Sequence, residues 1–224
     1  MVISIITLMV GISVPAVLSV TEQARKASCR MQLAGLSKAM IAYGADFGGW
    51  LPPGPAERGY WTGDADRGSP YELYDAYRIS DPGLYSDGGW YGAGLTWKHQ
   101  YIEQGEQYYC PAAERRGGVG CRQAWPKSFT PDRDPADGTS RIFFTYAYRG
   151  GLRSQAGTAL GPVNLSRHSG SLPVLADNPC NRRMWHDGGY NIAFLDGRVE
   201  FRPFSAPIVL RGELPALWTA LDNP

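Results

Sequence analysis

Charge of either sign is absent from the first twenty residues of this chain, and motifs that carry chemistry are scarce throughout it. The 224 residues include only three histidines and contain no Gly-x-Ser-x-Gly, no His-Glu-x-x-His and no phosphate-binding glycine loop. These absences argue against common hydrolase, metalloprotease and nucleotide-binding classes, so we expect no enzyme. A net charge of +1 gives no electrostatic reason to expect a nucleic-acid partner.

The uncharged residues 1–21 are strongly apolar and predict a helix that lies in a membrane or in a filament core. About twenty residues at a rise of about 1.5 Å each span about 30 Å, the thickness of a bilayer core. Pro15 is expected to kink this helix without ending it. A cleavable secretory signal and a buried core helix are weaker alternatives. The basic start of a signal is missing, and core helices are rarely apolar all round.

Residues 22–47 continue the helix in amphipathic form. Apolar side chains recur at alternating steps of four and three, which places them on one helical stripe. We call the following residues the packing stripe: Cys29, Leu33, Leu36, Met40, Tyr43 and Phe47. The stripe needs an apolar partner surface, which we expect residues 48–224 to supply. Gly48 and Gly49 are expected to end the helix.

Residues 48–224 predict a single compact head. The chain contains 28 glycines, 17 prolines, 13 tyrosines and 7 tryptophans, a composition typical of short strands joined by long loops. Strand patterns occur at 142–148, 172–176 and 190–201. The predicted fold class is therefore α+β, with a long N-terminal helix packed on a small antiparallel sheet.

The last strand pattern predicts a β-hairpin. Asp196-Gly197 is typical of a two-residue type I′ turn, in which both residues have positive φ. In that register Phe194 faces Val199 and Ile192 faces Phe201, which gives the hairpin one apolar face.

Three stretches of this sequence resemble a known bacterial family. The first is the apolar helix with Pro15, which is followed by Glu22–Arg25 and Cys29–Leu33. The second is Tyr43–Pro52, which is similar to the family's Y-x-x-D-x-x-G-x-x-P pattern at the end of the helix. The third runs from His186 to Asp196-Gly197 and has the H-X9-DG spacing. Tyr109-Cys110-Pro111 matches a further Y-C-P element. The chain thus resembles the type IV pilin and pseudopilin superfamily, within it the planctomycete-type prepilins with a carboxy-terminal H-X9-DG motif.

The resemblance implies a structural subunit of a type IV pilus-like filament or of a type II secretion pseudopilus-like filament. Its implied partners are copies of itself, the inner membrane and the assembly machinery. The head would lie in the periplasm or outside the cell. Prepilins are cut and methylated before a Thr-Leu-Ile-Glu-Leu segment that is absent here. Aligning Pro15 leads us to expect that the sequence starts about seven residues inside the mature chain.

A second function class stays open. The head could be a membrane-tethered binding module for a glycan or another surface ligand, because aromatic residues lie in glycine-rich segments. The residues that would contact such a ligand are Trp61, Trp90, Tyr91 and Trp97. Aromatic side chains in small, loop-rich domains more often fill the core, so the filament subunit is preferred.

The two ends of the H-X9-DG motif are predicted to have separate structural roles and not to form one site. Six strand residues at about 3.3 Å each place His186 and Asp196 nearly 20 Å apart, too far for one ion. Asp196 is therefore interpreted as a turn residue and His186 as a hydrogen-bonding residue at the strand start. Related pseudopilins carry structural calcium, which makes Asp177 and Asp187 calcium candidates. Solvated loop aspartates are the preferred interpretation of both.

The four cysteines predict disulfides, since their number is even and the head is expected outside the cytoplasm. No Cys-x-x-Cys occurs, so the sequence gives little support to a zinc site. Three pairings are open. Cys29 and Cys110 lie in the stretches that resemble the family, whereas Cys121 and Cys180 lie in loops particular to this chain, so the resemblance favours Cys29–Cys110 with Cys121–Cys180. The alternative that Cys29 is a plain apolar member of the packing stripe also stays open.

Overall fold

The computed structural model describes residues 2–53, 75–78, 90, 92–112, 141–143, 145–149, 163–177, 186 and 188–203. The elements in chain order are α1 (Val2–Asp46), β1 (Asp75–Arg78), α2 (Gly94–Lys98), a 3₁₀ helix (Gly105–Tyr108), β2 (Arg141–Phe143), β3 (Tyr146–Tyr148), β4 (Pro173–Asp177), β5 (Gly189–Phe194) and β6 (Val199–Pro203). Five residues singled out above lie outside the described residues: Trp61, Tyr91, Cys121, Cys180 and Asp187.

The helix α1 is 45 residues long and continues through Pro15. It ends at Asp46, one residue earlier than the sequence predicts. The amide of Gly49 donates to the carbonyl of Gly44 at 2.7 Å. Gly48 and Gly49 take φ values of 65° and 87°, a left-handed conformation that glycine adopts without strain. The glycine pair therefore turns the chain out of the helix.

The first half of α1 stands free of the head. Its described large apolar side chains are each at least 51% exposed: Ile3, Ile6, Met9, Val10, Ile12, Val14, Val17, Leu18 and Val20. We call residues 2–20 the apolar shaft. Among the described residues, no helix combines the length and apolarity that crossing a membrane requires.

The second half of α1 packs against the head through the packing stripe. Five of its six residues, from Cys29 to Tyr43, are at most 5% exposed. Phe47 is the exception at 41% exposed, because the helix has already ended and the side chain leaves the helical stripe. Its ring instead stacks on that of Tyr43, with centroids 4.1 Å apart.

The head contains a four-stranded antiparallel sheet in the order β3-β4-β5-β6, and a separate antiparallel pair of β1 and β2. The predicted strand 142–148 is thus divided between two sheets. The described chain is an α+β fold in which a long N-terminal helix packs on a small antiparallel sheet, as the sequence predicts.

The predicted β5–β6 hairpin is present, but its register is shifted by one residue. Phe201 lies opposite Asn191, not Ile192, and is 37% exposed. Gly197 has a φ of 83°, whereas Asp196 has no positive φ, so the turn is not type I′. The amide of Gly197 donates to the carbonyl of Phe194 at 2.9 Å. This hydrogen bond is typical of a three-residue loop whose last residue is a left-handed glycine.

The core lies between the packing stripe, the sheet, α2 and the 3₁₀ helix. Trp97 of α2 is 8% exposed and packs edge to face on Tyr108. Trp90 is partly buried against the same cluster. Trp97, one of the four aromatic residues considered for ligand contact, is thus a core residue and cannot contact a ligand on the surface.

Candidate functional site

Four chemistry-bearing side chains meet in the core where α1 crosses the sheet. The thiols of Cys29 and Cys110, a carboxylate oxygen of Asp177 and a ring nitrogen of His186 all lie within 4.8 Å of one another. Each of these residues is at most 2% exposed. We call them the buried cluster. It is the strongest candidate for a functional site in the described part of the chain.

Each member of the buried cluster comes from a different segment. Cys29 is the first residue of the packing stripe, and Asp177 is the last residue of β4. Cys110 follows the 3₁₀ helix, and its amide donates to the hydroxyl of Thr145 at 2.5 Å, which fixes this segment beside β3. His186 precedes β5 and forms a β-bridge with Gly189. Sheet register and helix packing together bring the four segments to one point.

The donor atoms of the cluster are in direct contact. The thiol of Cys29 donates to Oδ1 of Asp177 at 3.0 Å. Nε2 of His186 lies 3.4 Å from Sγ of Cys110 and 3.4 Å from Oδ2 of Asp177. The arrangement therefore points two sulfur atoms, one nitrogen and one carboxylate toward a common centre.

A second layer of polar groups orients these side chains. Oδ2 of Asp177 accepts two hydrogen bonds of 2.8 Å from the backbone amide and the side-chain amide of Asn191. The hydroxyl of Tyr146 lies 3.3 Å from Sγ of Cys29. On the far side of the His186 ring, Nδ1 lies 3.5 Å from Oε1 of Glu22. Those last two atoms are buried and have no hydrogen-bond partner.

Burial and neighbouring groups shift the ionisation of the cluster. Burial, assisted by Cys110 and Asp177, raises the pKa of the Cys29 thiol well above its ordinary value. Burial acts to raise the pKa of Cys110, but hydrogen bonds to Cys29 and His186 outweigh it and lower that pKa. Burial raises the pKa of Asp177 against the opposing charge of His186. Burial acts to lower the pKa of His186, but Cys110 and Asp177 outweigh it and raise that pKa.

The predicted interpretation of Asp177 as a solvated loop residue is wrong. Asp177 ends a strand that is buried along its whole length, and it is itself 2% exposed. Its contacts are a thiol, an imidazole and an amide, whereas calcium prefers six to eight oxygen ligands. Asp187, the other calcium candidate, lies outside the described residues.

The structure has Cys29 and Cys110 as free thiols and not as the predicted disulfide. Their sulfur atoms do lie within 4.8 Å of each other. Each sulfur also contacts another side chain, Cys29 that of Asp177 and Cys110 that of His186. The other two cysteines, Cys121 and Cys180, lie outside the described residues.

The two ends of the H-X9-DG motif lie in different environments, as the sequence predicts. His186 is buried in the cluster, whereas the carboxylate of Asp196 is exposed and pairs with the guanidinium of Arg198 at 3.0 Å. Gly197 takes the left-handed conformation that the turn requires. His186 is therefore the residue of the motif that belongs to the buried cluster, whereas Asp196 and Gly197 form the turn of the hairpin.

Sequence reasoning did not bring the four residues of the buried cluster together. Cys29 and Asp177 are 148 positions apart, so no local spacing could show their contact. One signal was available: Asp177 is the one polar residue in Pro173–Asp177, and it lies nine residues before His186. No family model, curated protein or solved structure matches this chain.

Proposed function

We propose that this protein is a structural subunit of a type IV pilus-like or type II secretion pseudopilus-like filament. The observation that carries the proposal is the contrast along α1. Five of the six residues of the packing stripe are buried by the chain's own head, whereas the described side chains of the apolar shaft are exposed on all sides. A helix that is apolar all round requires apolar surroundings all round.

The extent of the exposed shaft favours many partners over one. Residues 2–20 extend about 28 Å at about 1.5 Å per residue. Burying each large apolar side chain contributes about 1.5–3 kcal/mol. A single partner helix covers only one stripe of a helix, so a dimer leaves the rest of the shaft in water. Parallel packing of several shafts in a filament core buries all of it.

The way in which the head holds α1 also supports a filament subunit. The stripe from Cys29 to Tyr43 fixes the second half of the helix in the core of the head. The shaft and the head are therefore joined by a continuous helix. In a filament the shafts would form the centre and the heads would cover the surface. Storage in the inner membrane before assembly, which the sequence predicts, is part of this proposal.

Charge placed on the shaft tests the proposal. Ile12 is 69% exposed, so Ile12→Asp leaves the head intact but puts a charge into the proposed filament core. We expect this variant to be missing from filaments sheared from the native host, because a charge buried without a partner costs several kcal/mol.

The matched control is Gln23→Asp, which adds the same charge at an exposed position beyond the shaft. We expect it to appear in sheared filaments at the parent level. Equal filament incorporation of Ile12→Asp and the parent would contradict a shaft-centred assembly. Flotation of the full chain with inner-membrane vesicles tests the storage step separately.

A further inference from the structure

We propose that the buried cluster is a structural zinc site that fastens α1 to the head. Its ligands are Sγ of Cys29, Sγ of Cys110, Nε2 of His186 and a carboxylate oxygen of Asp177. The proposal concerns α1 and the head within one subunit and does not depend on filament assembly.

The spacing of the donor atoms fits a tetrahedral ion. With bonds of about 2.3 Å to sulfur and about 2.0–2.1 Å to nitrogen or oxygen, tetrahedral angles put donor atoms about 3.3–3.8 Å apart. The separations are 3.4 Å from Sγ of Cys110 to Nε2 of His186, 3.4 Å from that nitrogen to Oδ2 of Asp177 and 3.0 Å from Sγ of Cys29 to Oδ1 of Asp177. All four donor atoms lie within 4.8 Å of one another. Side-chain shifts of up to about 1 Å therefore bring the donor atoms to tetrahedral spacing.

The groups behind the ligands match the outer shell of a metal site. A metal-binding histidine usually donates its second ring N–H to a carboxylate, and His186 presents Nδ1 to Glu22 at 3.5 Å. Both atoms are otherwise without a partner, although they are buried. A ligating carboxylate is usually fixed by hydrogen bonds, and Asn191 donates two of them to Asp177.

The donor set identifies the class of ion. Two thiolates with one imidazole and one carboxylate suit zinc and exclude a calcium-type site, which takes oxygen ligands. The protein supplies all four ligands and buries them, which is the pattern of a structural site and not of a catalytic one with an open position. Binding of Zn²⁺ requires Cys29 and Cys110 as thiolates and His186 without a proton on Nε2, so the protons that these three atoms carry are released to solvent.

The position of the cluster gives the ion its role. One ligand lies on α1 and the other three lie in separate segments of the head, so a single ion joins four segments of the chain. Metal binding to such a site adds directly to folding stability. It also explains why two cysteines, an aspartate and a histidine are buried together in the core.

Metal analysis of the full chain tests the proposal. The chain is purified in detergent micelles under reducing conditions, loaded with Zn²⁺, freed of excess metal and analysed by mass spectrometry. We expect one zinc ion per chain. Replacement by Co²⁺ should give the visible ligand-field bands of tetrahedral cobalt together with a thiolate charge-transfer band.

Two matched pairs of variants locate the site. Asp177→Asn and His186→Gln each remove one ligand and should weaken Co²⁺ binding by at least about 100-fold. Asp196→Asn and His168→Gln make the same changes outside the cluster and should bind Co²⁺ as the parent does. Asp196 pairs with Arg198, and Nδ1 of His168 hydrogen-bonds the backbone of Asn164 in its own turn.

Three results would overturn the proposal. The first is a reduced parent chain that takes up no Zn²⁺ and gives no tetrahedral cobalt spectrum, a measurement that depends on no variant. The second is equal loss of metal from all four variants. The third is recovery of Cys29 and Cys110 as a disulfide from freshly isolated protein, because the cluster would then be a covalent cross-link.

Discussion

The same Leu→Ala substitution at two positions of α1 should have opposite consequences. Leu36 lies in the packing stripe and is fully buried in the core of the head. Shortening a buried leucine removes its transfer free energy and leaves a cavity, at a cost of about 2.7–5.0 kcal/mol. For a head of this size, about 1 kcal/mol shifts the thermal midpoint by about 2–4 °C. Leu36→Ala should therefore lower the midpoint by about 10 °C.

Leu18 lies on the apolar shaft, where it is 55% exposed. Leu18→Ala should change the stability of the head by no more than about 0.5 kcal/mol, because the side chain contributes little to its core. In a filament core the same side chain would be buried. The loss of three carbon atoms at about 0.8 kcal/mol each then weakens assembly by about 2 kcal/mol per subunit. That corresponds to roughly a 30-fold change in the association constant.

Two assays on the same protein preparations separate the effects. Near-ultraviolet circular dichroism follows thermal unfolding of the head in the full chain, because the aromatic residues of the core report on its packing. The yield of sheared filaments reports on assembly. A Leu18→Ala midpoint as low as that of Leu36→Ala would refute the division of α1 into a free shaft and a packed stripe. So would an unchanged midpoint for Leu36→Ala.

Two further predictions concern the head. Gly189→Ala should destabilise it by about 2–3 kcal/mol, because a Cβ there overlaps the backbone and a ring of β6. Gly35→Ala should instead stabilise it by about 0.5–1 kcal/mol, since the new Cβ meets only one side-chain atom at 3.6 Å and alanine favours the helix. Urea unfolding of both variants checks the opposite signs. The hydroxyl of Tyr101 donates to Asp46, and this hydrogen bond raises the pKa of the phenol to about 12. The stability gained from this contact should be complete below the ordinary pKa of about 10 and lost as the pH rises toward 12. Tyr101→Phe should remove that part of the alkaline pH dependence of the midpoint.

The packing stripe could be predicted because its information is local. The steps of three and four between apolar residues follow directly from the pitch of a helix, and five of the six residues are buried. Phe47 was included because its spacing continues the pattern. The spacing of apolar residues does not show where a helix ends, and α1 ends at Asp46, one residue before Phe47.

The local sequence predicts the β5–β6 hairpin but not its turn type or its register. Asp-Gly predicts a tight turn, but the turn type depends on whether Asp196 adopts positive φ. Here its Oδ1 accepts a hydrogen bond from the amide of Arg198 at 3.0 Å, and its own amide donates to the carbonyl of Gly170. A contact with another loop thus selects the longer turn, and the register shifts by one residue.

The buried cluster could not be predicted because its contacts are set by tertiary packing. The sequence pattern predicts Cys29 to be an apolar residue of a helical stripe and Asp177 to be a polar residue at the end of a strand. The register of β3 on β4 places Tyr146 opposite Asp177, and the packing of α1 on the sheet brings Cys29 to that carboxylate. The pairing of Cys29 with Cys110 was inferred from the resemblance of their surroundings to one family. The structure places the two thiols close together but does not bond them.

The lengthwise packing of α1 on the head has a mechanical consequence. The stripe from Cys29 to Tyr43 extends about 21 Å along the helix axis at about 1.5 Å per residue. A pull on the shaft acts along that axis, so it loads all contacts of the stripe in shear at the same time. A force across the axis would instead peel them apart one after another. Under axial tension the contacts of the whole stripe, from Cys29 at the shaft end to Tyr43, therefore resist the load together.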